Sequence, residues 1–183
     1  MMRLLYILSV SVLLFSCKKE YSYEGSPVTT NEYYITANIN GADREFNFDT
    51  EAAYTTASGG YSVLEMTAFA SADQADNTNI TLDIYYDPAT VSAPGVGTYD
   101  QQTDDYFEIG IYDFNDPDKV YVADNASTIT SAQPLSITIT SVTPTVVEGY
   151  FSGAFYLTDV LTGTTDANSY VIINNGKFRL PLQ

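Results

Sequence analysis

Alternation of apolar and polar residues at a period of two governs what this chain can fold into. Between Glu148 and Tyr156, Gly149, Phe151, Gly153 and Phe155 fall on one side, while Glu148, Tyr150, Ser152 and Tyr156 fall on the other. That period belongs to an extended strand with one buried face, because successive side chains of a strand point to opposite sides. Glycines beside phenylalanines on the buried side leave room for rings from a facing sheet. The same alternation runs through Tyr34 to Ile39 and through Glu45 to Phe48, with Asn40-Gly41 between them. A type I′ turn needs positive φ at both central residues, which Asn-Gly supplies, so residues 33 to 48 read as an opening hairpin.

Further along, Asp49 to Gly60 is small and polar and is expected to be a loop. Tyr61 to Ala70 reads as a strand that turns either Leu64, Met66 and Ala68 or Tyr61, Val63 and Phe69 inward. Ile80, Leu82 and Ile84 alternate cleanly with Asn79, Thr81, Asp83 and Tyr85. Residues 88 to 98, rich in proline and glycine, form a loop of the kind that carries function. Phe107, Ile109 and Ile111 define the expected buried face of the next strand, with Glu108 and Tyr112 opposite. The chain then turns at Asn115 to Asp118 and returns along Val120-Tyr121-Val122. Leu135, Ile137 and Ile139 mark another half-buried strand. At the end, Tyr170 to Ile173 is expected to turn through Asn174-Asn175-Gly176 into Lys177 to Leu180, closing the chain on a strand pair. No stretch after residue 32 carries a helical period. These elements predict an all-β fold, an antiparallel β-sandwich of about nine or ten strands, as a single domain over residues 33–183.

Ahead of that domain lies a segment of a different kind. Arg3 followed by an apolar run from Leu4 to Phe15 and the small residue Ser16 reads as a signal peptide over residues 1–16. The run is shorter than the ~20 residues a membrane-spanning helix needs. Leu14-Phe15-Ser16-Cys17 resembles the lipobox of bacterial lipoproteins. The resemblance implies that Cys17 is lipidated and becomes the acylated first residue of the mature chain, with three acyl chains holding it in the bilayer. About two membrane signals already give stable anchoring. Residues 17–32, polar and without periodicity, are the expected lipidated N-terminus and flexible tether. Cys17 is the single cysteine in the sequence, so the domain has no disulfide and no thiolate metal ligand. By the same resemblance, Lys18 rather than aspartate after Cys17 implies the outer membrane, with the periplasmic or the surface face left open by Lys18-Lys19-Glu20.

Three further motifs extend the likeness: Ile35-Thr36-Ala37-Asn38-Ile39-Asn40-Gly41, Glu148-Gly149-Tyr150-Phe151-Ser152-Gly153, and Ile173-Asn174-Asn175-Gly176-Lys177-Phe178. With the lipobox they resemble the small β-rich lipoproteins of Bacteroidetes-type bacteria. That resemblance implies a membrane-anchored β domain and brings no activity or catalytic residue with it.

Charge narrows the partners. Beyond residue 16 the chain has 6 basic and 23 acidic side chains, a formal charge of −17, and residues 45 to 118 hold 15 acids with no Lys or Arg. Nucleic acid and an anionic membrane surface both require basic patches, so neither is an expected partner. Histidine is absent, which removes Ser-His-Asp hydrolysis and histidine-ligated zinc. No glycine-rich phosphate loop precedes a helix. A carboxylate pair, as in glycan hydrolases, is the surviving catalytic option, but so many acids make some pair inevitable. Asp113, Asn115, Asp116 and Asp118 are candidate Ca²⁺ ligands, although Pro117 and Asp118 break the EF-hand pattern and a solvated acidic hairpin turn is the favoured reading of the cluster. Tyr85, Tyr112, Tyr121, Tyr150 and Tyr156, each placed opposite an apolar face, are candidates for an aromatic platform that meets a glycan or an envelope protein. The expectation is an anchored binding or structural accessory domain without catalytic activity. A carboxylate-dependent glycan hydrolase and a Ca²⁺-assisted glycan-binding module are the alternatives.

Overall fold

A computed structural model describes residues 32–73, 75–100, 106–124 and 133–183. The signal peptide, Cys17 and all of the tether except Glu32 lie outside the described residues. Within them the chain is all-β and antiparallel, as expected, with a single 3-10 turn at Ser58–Gly60 and no α-helix. The strands are β1 (Tyr34–Ile39), β2 (Ala42–Phe46), β3 (Phe48–Thr56), β4 (Ser62–Phe69), β5 (Asn79–Tyr86), β6 (Gly97–Tyr99), β7 (Tyr106–Asp116), β8 (Lys119–Asp124), β9 (Ser136–Val142), β10 (Val146–Asp159) and β11 (Thr165–Pro181).

These eleven strands form one continuous sheet in the order β2-β1-β11-β10-β8-β7-β5-β4-β3, with β9 also on β10 and β6 on β9. The long strand β10 links two layers. Its first half pairs with β9 and its last residues, Tyr156 to Asp159, pair with β8. The sandwich is thus two faces of one bent sheet that nearly closes into a barrel. Ala52 of β3 bridges Leu182, and the Gln183 amide donates to the Ala52 carbonyl at 3.0 Å.

Between the layers lie Ile35, Phe46, Leu64, Met66, Ile80, Leu82, Ile84, Ile137, Ile139, Phe155 and Ile173, all essentially without solvent contact. Leu64, Met66 and Ala68 therefore take the inner face of β4. The small-large alternation of β10 is borne out: Gly149, Phe151, Gly153 and Phe155 all point inward. Asn40 and Gly41 have φ of 49° and 86°, as the opening hairpin requires.

Three expectations are corrected. Residues 48–56 form β3 rather than a loop. Its weak alternation suits a strand paired along its length only with β4, with Ala52 inward and mostly polar residues outward. The Asn174-Asn175-Gly176 run is a bulge inside the single strand β11 rather than a hairpin turn. Both flanks of the bulge pair with β10 and with β1, and the registers shift at that point. Asn175 has φ 51°, and a Cβ on Gly176 would lie 2.5 Å from the Phe151 ring, so the bulge bends the strand where a side chain would collide.

The third correction concerns β7, whose inner face is Glu108, Gly110 and Tyr112. Phe107, Ile109 and Ile111 point outward and are half-buried. The choice follows from the Phe155 ring of β10, because a Cβ at position 110 would lie 2.6 Å from it. Only glycine fits opposite that ring, and a slip of one residue would put Ile109 or Ile111 there.

Candidate functional site

The reversal of β7 leaves an unusual outer face on β4, β5 and β7. Val63 pairs with Tyr85 and Glu65 with Asp83 across β4 and β5, and Tyr85 pairs with Phe107 and Asp83 with Ile109 across β5 and β7. Phe107 and Tyr85 stack, with centroids 4.6 Å apart and planes 1° from parallel, and Tyr61 meets Phe107 edge-on at 5.8 Å. The rings form a shelf in which Tyr61 remains 38 % exposed.

Beside that shelf sit two carboxylates on directly opposed residues. Like charges facing one another across antiparallel strands are destabilising unless one is neutralised. Asp83 is only 8 % exposed. Its Oδ2 accepts from the Tyr85 hydroxyl at 3.5 Å, and its Oδ1 is buried with no hydrogen-bond partner. Burial above all, and then the charge of Glu65, push its pKa up to about 7. The Tyr85 phenol is raised as well, by burial first and then by Asp83. Near neutral pH Asp83 is therefore poised to gain or lose a proton in a wall of rings and aliphatic side chains.

The five tyrosines expected to form one platform lie in four places. Tyr85 belongs to the shelf. Tyr112 and Tyr121 pack against the core, with Tyr112 edge-on to Phe46 at 6.2 Å and nearly parallel to Tyr121 at 6.1 Å. Tyr150, 53 % exposed, borders a shallow hollow of about 420 Å³ with Thr138, Asn175 and Lys177. Tyr156 lies further along β10, 5.6 Å from Tyr170.

Asp113, Asn115 and Asp116 line a hollow of about 310 Å³ with Asn77 and Pro117, while Asp118 is not part of its lining. Most of their side-chain oxygens are already engaged. Asp113 accepts from the Asn115 amide at 2.7 Å and from the Asn77 side chain at 3.1 Å, and Asp116 accepts from the Asp118 amide at 3.0 Å. This is the bonding of an acidic turn. Among the described residues no group of three or more carboxylates, histidines or cysteines is arranged to hold a metal.

The loop over residues 88–98 is tied down from the strands. Tyr54 donates to the Pro94 carbonyl at 2.7 Å, Tyr106 to the Ser92 carbonyl at 3.0 Å, and Tyr99 exchanges bonds with both backbone groups of Gly95. Glu108, fully buried on the inner face, is close enough for its charge to contribute to the raised pKa of the Tyr99 phenol, after burial itself.

Asp83, Glu65, Phe107 and Tyr61 are absent from the residues singled out by sequence. A signal was present, since Glu65 stands between Leu64 and Met66 and Asp83 between Leu82 and Ile84. Two acids each flanked by core residues must share the opposite face, but their meeting depends on the β4–β5 register. No protein-family profile, curated protein sequence or solved structure matches the chain.

Proposed function

We propose that this chain is a lipid-anchored binding protein of the bacterial cell envelope, held in the outer membrane through acylated Cys17. Its ligand-contacting surface is the outer face of β4, β5 and β7. The observation that carries the binding reading is Asp83, a nearly buried carboxyl group on the outer sheet face whose Oδ1 has no hydrogen-bond partner, beside a stacked aromatic pair. A protein gains nothing in stability from an unsatisfied carboxylate in such a wall, and groups kept at a cost to the fold concentrate at sites of function. Rings supply contact area and the acids supply orientation, the usual division of labour in small-ligand sites.

Binding is favoured over hydrolysis by the placement of the acids. A glycan hydrolase needs an acid and a second carboxylate flanking the scissile bond, and Asp83 with its proton beside Glu65 has that chemistry. The two sit side by side on adjacent strands of one sheet face rather than across a cleft.

The test is a thermal-shift screen of the full-length chain in detergent against envelope saccharides and small amines. A ligand at a hundred times its dissociation constant adds about 2.7 kcal/mol of stability. Hits that Phe107→Ala and Asp83→Asn abolish support the surface, hits they leave intact move it elsewhere, and an empty screen overturns the binding reading. Substitution of Cys17 by Ala releasing the chain from the membrane fraction supports the anchor, and retention overturns it.

A further inference from the structure

We infer that Asp83 and Glu65, flanked by Tyr85, Phe107 and Tyr61, form a receptor for a primary ammonium group carried on an apolar stem. The inference rests on the binding surface proposed above and names the chemistry of its ligand. Three independent features of the structure converge on a cation. Glu65 and Asp83 oppose each other in register on the outer face. Asp83 Oδ1 is buried and has no hydrogen-bond partner, so an acceptor is in place with its donor missing. Three clustered rings, Tyr61, Tyr85 and Phe107, lie on the same side of the sheet, and aromatic rings attract cations.

The surroundings agree in charge. The groups that face Asp83 are Glu65 on β4 and Tyr85 on its own strand, while β7 contributes Ile109 and Phe107, neither of which titrates. No Lys or Arg occurs on β3, β4, β5 or β7, so the chain itself offers this pair no counterion there. An ammonium fits better than a guanidinium. The planar fork of a guanidinium engages both oxygens of a carboxylate, and Oδ2 already accepts from Tyr85, whereas an ammonium is a compact donor that needs one oxygen. Glu65 is exposed, so its side chain can move aside and admit the ligand nitrogen toward Oδ1 without disturbing the strands or the Tyr85–Phe107 stack. The apolar stem then lies on Phe107 and Tyr61.

In the unliganded protein a proton takes the place of that cation. Asp83 titrates near pH 7. An ammonium that occupies the site favours the ionised carboxylate, so binding expels the proton to solvent and the net charge of the site is conserved. Below pH 7 the apparent affinity should fall about tenfold for each pH unit.

The experiment is isothermal titration of the full-length chain in detergent with n-butylammonium, tetramethylammonium and n-butanol, in two buffers of different ionisation enthalpy at pH 6 and pH 8.5. The expected result is that n-butylammonium binds best and releases about one proton per site at pH 6 and about none at pH 8.5. Asp83→Asn, still folded by circular dichroism, should lose this binding and Tyr85→Phe should keep it. Butanol binding as well as the amine, with no proton release, overturns the ammonium assignment and leaves the aromatic surface standing. Equal binding of tetramethylammonium overturns the role of the vacant oxygen, because that cation has no N–H to donate. Failure of all three probes overturns both the receptor and the surface it rests on.

Discussion

Replacing Asp83 by Asn removes a titration that the fold suppresses, and its effect should depend on pH in a calculable way. The carboxyl's pKa is raised from 3.8 to about 7 on folding, chiefly by burial. Three pKa units at 1.36 kcal/mol each make about 4 kcal/mol. The sign follows from which state binds the proton. Between pH 4 and pH 7 the unfolded chain has lost it and the folded chain has kept it, so this group's contribution falls as pH rises through that window. Below pH 4 both states are protonated and above pH 7 both are ionised, and the contribution is flat. Asparagine has no such titration, though its buried amide costs about 1–3 kcal/mol at every pH. The difference in unfolding free energy between Asp83→Asn and the parent should therefore rise by about 4 kcal/mol from pH 4 to pH 8, and the variant should be the more stable at pH 8. With a urea slope near 2 kcal/mol per molar, that is a relative midpoint shift of about 2 M. Urea titrations at pH 4, 5.5, 7 and 8, followed by the near-ultraviolet dichroism of the tyrosines, read it directly. A difference constant across this range would refute the burial argument, and Glu65→Gln should shrink but not remove the dependence, since Glu65 is the second cause.

Other expectations follow from packing. Gly110→Ala should destabilise by about 1–3 kcal/mol, because its Cβ would meet the Phe155 ring at 2.6 Å, and the additional change Phe155→Leu should recover part of the loss in a denaturant titration. Gly41→Ala has open space around it and should cost about 1–2 kcal/mol through its φ of 86° alone, a loss no neighbouring substitution repairs. Leu82→Ala on the inner face should cost about 2–5 kcal/mol and Ile109→Ala on the outer face less than half of that; equal losses would contradict the facing of β7. Glu148→Gln breaks a partly exposed ion pair with Arg179 and should change stability by less than about 1 kcal/mol, the more so in high salt, by thermal denaturation at two salt concentrations.

How far the sequence reaches can be judged element by element. The inner faces of β5, β9 and β10 were legible because apolar residues alternate there without competitors, and Asn40-Gly41 announced its turn through the conformation only such residues adopt easily. Strand β7 misled for a physical reason. Its more apolar set, Phe107, Ile109 and Ile111, faces out, because an inner position opposite the Phe155 ring admits only Gly110. Asn174-Asn175-Gly176 has the composition of a hairpin turn but serves as a bulge, since both flanks find the same two neighbours. The Glu65–Asp83 pair was illegible for a related reason, as it exists only once β4 and β5 are in register.

The sequence by itself determined that this is an antiparallel β protein, strongly acidic, without histidine and with one cysteine. Those properties follow from local periodicity, turn chemistry and counting, none of which needs to know what lies across the fold. Tertiary structure alone decided that the two layers belong to one bent sheet, which face of β7 is buried, and that two carboxylates meet beside three aromatic rings. Each of these depends on contacts between residues distant in sequence, and a shift of one residue in strand register would reverse the faces and separate the acids.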